Sequence, residues 1–202
     1  MTTKYEQEIQ SRTRFHYFMG GAIRFLNWLK YERARRCARR NGAHIGDNVC
    51  IPMSLARKLN SNVTIGDHTI IQTDNFSSMR HKITIGSHVI IGGNVKFVMG
   101  GHNIDSPEWE NIRKTSPLVV KDYVWLCPDS VIMPSCSEIG YGAVVGANSV
   151  VVKDVPDMAV VSGFPAKVLR QRKCVHSDLV VESMVGGDFL AYQHARHNGK
   201  RN

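Results

Sequence analysis

No stretch of about eighteen apolar residues occurs in this 202-residue chain, so no segment is expected to cross a bilayer as a helix. The N-terminus lacks an apolar core followed by a small-residue cleavage site, which argues for a cytoplasmic protein over a secreted one. Cys37, Cys50, Cys127, Cys136 and Cys174 form no CxxC unit and leave an odd one over. That excludes a disulfide framework and suits a reducing compartment. Acidic residues are scarce in residues 1–40, where Glu6, Glu8 and Glu32 stand against ten Lys or Arg, so this segment carries +7 of the +9 formal net charge. At 43% hydrophobic content the chain can bury one substantial domain.

What the chain has in quantity is a six-residue beat of an aliphatic residue followed by a small one. It reads Ile45-Gly46, Ile65-Gly66, Ile85-Gly86, Ile91-Gly92, Ile139-Gly140 and Val145-Gly146, and Val120, Leu126, Ile132 and Val151 keep the aliphatic beat where glycine is missing. Each short strand puts one aliphatic residue inward, and a small residue beside it lets the backbone turn without a Cβ clash. Ile45, Ile65 and Ile85 lie 20 residues apart, three hexapeptides and two extra residues. Three strands per coil make a triangular prism, with the extra pairs expected to bulge at corners near Arg57-Lys58 and Arg80-His81-Lys82. Since one coil cannot bury its own inward face, stacking must supply the core, and the fold class is an all-β solenoid over residues 41–172.

Residues 1–40 read as a basic helical N-terminal region. Phe15, Phe18, Met19, Ala22, Ile23, Leu26 and Leu29 follow helical spacing, and Gly20-Gly21 is expected to weaken the middle. Such a helix, with Phe25 and Trp28, can lie on an anionic membrane surface, or its stripe can pack against the prism or a neighbouring subunit. Nothing else in the chain matches a nucleic-acid-binding motif, and no nucleic-acid partner is expected. Residues 173–202 lose the beat. They are expected to be a C-terminal extension that forms a short capping or docking element for the open end of the prism and continues, from Gln193, as a disordered tail.

Residues 41–172 resemble the left-handed β-helix acyltransferases, the hexapeptide-repeat family of sugar and polysaccharide O-acetyltransferases. The segment from Ile139 to Arg170, IGYGAVVGANSVVVKDVPDMAVVSGFPAKVLR, carries the family's small-residue GAxS turn, its KD-V-P turn and its G-x-PA-K ending. A second segment, ITIGSHVIIGGNVKFVMGGH from Ile83 to His102, is similar to the stretch that leads to the family's catalytic histidine. The resemblance implies a left-handed parallel β-helix, acetyl-CoA as co-substrate, a sugar or glycan acceptor and a homotrimer with sites at subunit interfaces. The chain departs from the pattern at Cys127-Pro128, at Ser135-Cys136 and in one extra residue between Ile132 and Ile139, which a bulge near Pro134 to Glu138 would absorb.

Acetyl transfer to an alcohol needs a base, and histidine near neutral pH can take the proton. His102, in a loop spanning residues 99–116 that interrupts the beat, matches that position. Its imidazole must be oriented, and Asp105, Glu108, Glu110 or a backbone carbonyl could do so. By the same resemblance Asn94 would hold the acceptor hydroxyl, and Asn94 reads equally as a turn-closing asparagine. A backbone N–H near Trp125 would receive the developing oxyanion. Ala147 would present backbone to the pantetheine arm, Lys153 would approach the donor's phosphates or adenine end, and Lys167 and Arg170 would hold the 3′-phosphate. Pro128 and Val152 occupy positions where the family often has hydroxyls. His68 and His88 read as outward-facing surface residues, and His194 and His197 as incidental. No catalytic metal is expected, because the histidine spacing around His102 does not match the zinc enzymes built on this prism. Two alternatives remain: an N-acetyltransferase for a nucleotide-linked amino sugar, and a non-catalytic scaffold.

Overall fold

A computed structural model describes residues 3–113 and 117–198. Helix α1 (Lys4–Ser11) opens with a capping box in which Thr3 and Glu6 satisfy each other's backbone N–H groups. Helix α2 (Arg14–Arg40) starts at Thr13, whose hydroxyl accepts from the His16 N–H, and stops where Gly42 takes φ +92°. Gly20-Gly21 does not break it. A Cβ on Gly20 would lie 2.7 Å from the Tyr192 hydroxyl, so the glycine is a notch for a tyrosine from the other end of the chain, and that packing outweighs the low helix propensity. The Tyr192 ring stacks on Tyr17 at 4.9 Å and its hydroxyl donates to the Tyr17 carbonyl.

From His44 onward the chain winds through parallel sheets that form three faces. The first face stacks strands at 44–45, 63–65, 83–85, 118–120 and 138–139, and the second stacks those at 70–71, 90–91, 125–126, 144–145 and 159–163. The third face holds 96–97, 131–132 and 150–151. Register is kept by the beat itself: Ile45, Ile65, Ile85, Val120 and Ile139 fall opposite one another, as do Ile91, Leu126, Val145 and Val161, and Phe97, Ile132 and Val151. All of these side chains are buried in one continuous core. Each contributes about 1.5–3 kcal/mol relative to exposure.

The glycines beside the inward residues serve a different purpose from the one their spacing implies. A Cβ on Gly66 would lie 2.7 Å from the backbone of Gly86 and Ser87, and one on Gly86 would lie 2.7 Å from the Asp122 nitrogen. They let successive coils approach. The turns are made two residues later, where Asn48, His68, His88, Asn94, Tyr123, Asp129 and Asn148 adopt φ between 54° and 62°. Side chains then tie coil to coil: the Asp67 carboxylate accepts from the Asp47 N–H and the Asp122 carboxylate from the Ser87 N–H, each at 2.7 Å.

Several local expectations change. Arg57-Lys58 lie on a short helix, α3 (Met53–Lys58), that replaces a strand in the first coil. The seven-residue step is absorbed at the corner after Ile132, with Cys136 fully buried and the Asp154 carboxylate accepting from the Ser137 and Glu138 N–H groups. The extension after Arg172 does not cap the open end. It runs back along the second face, where Val181 packs on Cys50 and Ile70, and finishes as α4 (Phe189–Asn198) against α1 and α2. The expected disordered tail is therefore helical from Gln193 to Asn198, because Tyr192 and Ala195 share a small core with Ile9; residues 199–202 lie outside the described residues.

Candidate active site

His102 ends a strand (Gly100–His102) that pairs antiparallel with Asn111–Arg113, so most of the interrupting loop is a two-stranded ribbon; residues 114–116 lie outside the described residues. The imidazole is exposed, and its Nδ1 lies 2.7 Å from the Trp109 carbonyl oxygen. A nitrogen facing a carbonyl carries the proton, so in neutral His102 the lone pair is on Nε2. Trp109 itself sits at φ +49°, an uncommon conformation for a large residue. Its indole is 61% exposed, with the two ring centroids 6.1 Å apart. Of the three carboxylates considered as orienting groups, Glu110 accepts instead from the Asn103 amide at 2.9 Å, and no bond joins Asp105 or Glu108 to His102.

The other site residues fall on distinct parts of the prism. Asn94 stands at φ +57° on the corner between the second and third faces, in line with Asp129 and Asn148, so its turn-closing role is met. Ala147 is exposed on the same corner, and Lys167 stands opposite Ser162 in the hairpin above it. Trp125, 45% exposed on the second face, lines a cleft of about 1090 Å³ together with Val144, Val160 and Arg170. Lys153 lies elsewhere, on the corner between the third and first faces, the same edge from which the His102 ribbon leaves. Within one chain, then, Trp125 and Arg170 share a cleft, Asn94, Ala147 and Lys167 share a corner, and His102 and Lys153 share the opposite edge.

The far wall of the cleft is formed by Arg172 and the C-terminal extension, which was expected at the open end of the prism and not on this face. Arg172, Cys174, His176, Leu179 and Met184 line it, and the Arg172 guanidinium pins this wall by donating to the Tyr123 and Gly142 carbonyls at 3.0 Å. His68 and His88 point away from the prism core, as expected, but both are half-buried beside the extension. His68 Nδ1 donates to the Glu182 carboxylate at 2.6 Å, and the rings of His68, His88 and Tyr123 stack at 4.9 Å intervals beneath the extension. Nothing in the local sequence of either histidine signals this, because the partner lies 114 positions away. Burial pushes the Cys127 thiol up, away from the thiolate form that would make it a nucleophile.

Comparison with known proteins bears on the class. No family model matches the chain. A chloramphenicol acetyltransferase of Klebsiella aerogenes is 31% identical over 101 residues, 41% of this chain and 48% of the relative. A 2,3,4,5-tetrahydropyridine-2,6-dicarboxylate N-acetyltransferase of Staphylococcus aureus is 43% identical over 56 residues, 28% of this chain and 23% of the relative. The chain spans about half, or less, of the length of these curated relatives. A crystal structure of a hexapeptide-repeat-containing acetyltransferase from Vibrio cholerae is matched more fully, at 30% identity over 85% of this chain and 95% of that one, with a TM-score of 0.61. The prism and this match over 85% of the chain define the class: the chain belongs to the hexapeptide-repeat acetyltransferases.

Proposed function

We propose that this chain transfers an acetyl group from acetyl-CoA to a hydroxyl of a sugar or a cell-surface polysaccharide precursor. The observation that carries the reading is the bond from His102 Nδ1 to the Trp109 carbonyl, which leaves Nε2 as an exposed proton acceptor. Nε2 takes the hydroxyl proton as the oxygen attacks the thioester carbonyl. The tetrahedral intermediate collapses with loss of the thiolate, and the imidazolium returns the proton to sulfur. A backbone N–H near Trp125 steadies the oxyanion. Transfer is direct, in keeping with the raised thiol of Cys127.

The donor side is supported by the Vibrio cholerae acetyltransferase, which has also been solved in complex with acetyl coenzyme A. Here the cleft bounded by Trp125 and Arg170 has room for an extended donor, Ala147 offers backbone to its arm, and Lys153, Lys167 and Arg170 supply charge for its phosphates. Lys153 and His102 stand on one edge of the prism while the cleft and Ala147 stand on another, so a complete site needs a second copy of the chain. A homotrimer of left-handed β-helices with three interfacial sites meets that need. Five free cysteines fit a cytoplasmic setting.

Amine acetylation, on a nucleotide-linked amino sugar, is the second reading, favoured by the short match to an N-acetyltransferase. The deciding experiment follows acetyl-CoA consumption across sugars, nucleotide sugars, glycan fragments, amino sugars and chloramphenicol, with product mass and base lability separating esters from amides. Turnover only with amines moves the function to N-acetylation. No turnover with any acceptor leaves the scaffold reading.

A further inference from the structure

Helix α2 has two unlike faces. One is locked to the rest of the chain: Tyr17 stacks on Tyr192, Arg24 pairs with the buried Asp188, and the Arg35 guanidinium donates to the Val49 carbonyl. The other points away from the chain. Phe15, Phe18 and Leu26 keep between 65% and 75% of their surface exposed, and Met19, Ile23 and Leu29 are also exposed. The locked face prevents α2 from rotating this stripe inward. A contiguous apolar patch of this kind marks a docking surface.

The stripe does not end in neutral residues. Along the same line of the helix, Phe15, Ala22, Leu26 and Leu29 are followed by Arg33 and Arg40, with Lys30 and Arg36 on either side, all exposed. The apolar part is about 21 Å long and the basic part about 15 Å. No ion pair among the described residues engages Arg14, Arg33 or Arg40, and the one carboxylate of α2, Glu32, is held by Arg35 and Arg36.

We propose that this face of α2 docks on an anionic bilayer surface, with Phe15, Phe18, Met19, Ile23, Leu26 and Leu29 inserted among the lipids and Lys30, Arg33 and Arg40 against their phosphates. The charge pattern selects this occupant over a second copy of the chain. Parallel α2 helices in a cyclic assembly would set basic ends against basic ends, and an antiparallel pair would bury Arg33 and Arg40 against Phe15 and Phe18. A bilayer supplies apolar tails and anionic headgroups side by side. The inference is independent of the reaction catalysed.

The test is flotation of the full-length protein with vesicles of phosphatidylcholine plus phosphatidylglycerol, against phosphatidylcholine alone. The expected result is binding to the mixed vesicles that falls about tenfold in the neutral vesicles or at high salt. A Phe18→Asp, Leu26→Asp protein should lose vesicle binding, with its mass by light scattering and its circular dichroism unchanged, because both side chains are free of the core. An Arg33→Glu, Arg40→Glu protein should lose the preference for anionic lipid. Absence of binding to mixed vesicles at low salt overturns the proposal. So does a change in oligomeric mass in the Phe18→Asp, Leu26→Asp protein, which would make the stripe a contact between copies.

Discussion

At the scale of single residues, the proposed base His102 takes its tautomer from a main-chain atom. Because the Trp109 carbonyl holds the proton on Nδ1, the carboxylates nearby in sequence are spectators to that choice. Replacing His102 with alanine should lower kcat by about 10² to 10⁴ with the KM for acetyl-CoA little changed. Asp105→Asn, Glu108→Gln and Glu110→Gln should each stay within about threefold of the parent kcat. Steady-state kinetics with the acceptor found in the screen checks both; a large fall in any carboxylate variant would return the orienting role to a side chain. That His102 stands on the segment interrupting the repeats was legible in the chain, because it follows an unbroken run of them. The carbonyl that faces it was not, since any residue can present a carbonyl and only the folded path of the loop decides where that of Trp109 points.

At the scale of elements, the repeat is governed by how closely one coil can lie on the next. Gly86 and Gly93 occur in one coil, the first on the beat and the second one place beyond it, and a Cβ on Gly86 would reach 2.7 Å from the Asp122 nitrogen, whereas one on Gly93 meets nothing within 4 Å. Gly86→Ala should therefore destabilise by about 1–3 kcal/mol, as overpacking does. Gly93→Ala should be neutral or stabilise by a few tenths up to about 1 kcal/mol through the unfolded chain. Urea unfolding of both proteins is the measurement, and equal losses would mean that coil spacing does not set the need for glycine. The histidine stack makes a second element-scale case. Burial, and then the neighbouring His68, lower the His88 pKa below its usual value, while Glu182, Asp122 and Asp67 act in the opposite sense. The unfolded chain then binds the proton more readily than the folded one, so this group's contribution to stability is full above about pH 6.5 and declines as pH falls below it. His88→Asn, tolerated at φ +56°, should flatten that part of the decline when melting temperatures at pH 5 and pH 7.5 are compared with the parent. An unchanged difference between the two pH values would show that His88 does not contribute.

At the scale of the whole molecule, the chain is a prism with a strap. The segment after Arg172 returns from the last coils to the first, closes the cleft over the second face and joins α1 and α2 in a small second core of Ile9, Tyr192 and Ala195. Because His102 and Lys153 leave the prism at a different edge from that cleft, the intact enzyme should be a trimer by light scattering, and its activity should fall on dilution below the dissociation constant of the trimer. An active monomer would defeat the interfacial site. The prism itself was determined by the sequence: an aliphatic residue every six positions can be buried in only one way once coils stack, and Ile45, Ile65 and Ile85 fall in register as their spacing requires. The continuity of α2 across Gly20-Gly21, the return path of the C-terminal segment, the pairing of His68 with Glu182 and the outward face of α2 were decided only by tertiary structure. Each depends on partners tens to more than a hundred residues apart, and local periodicity carries no information about contacts made at that distance.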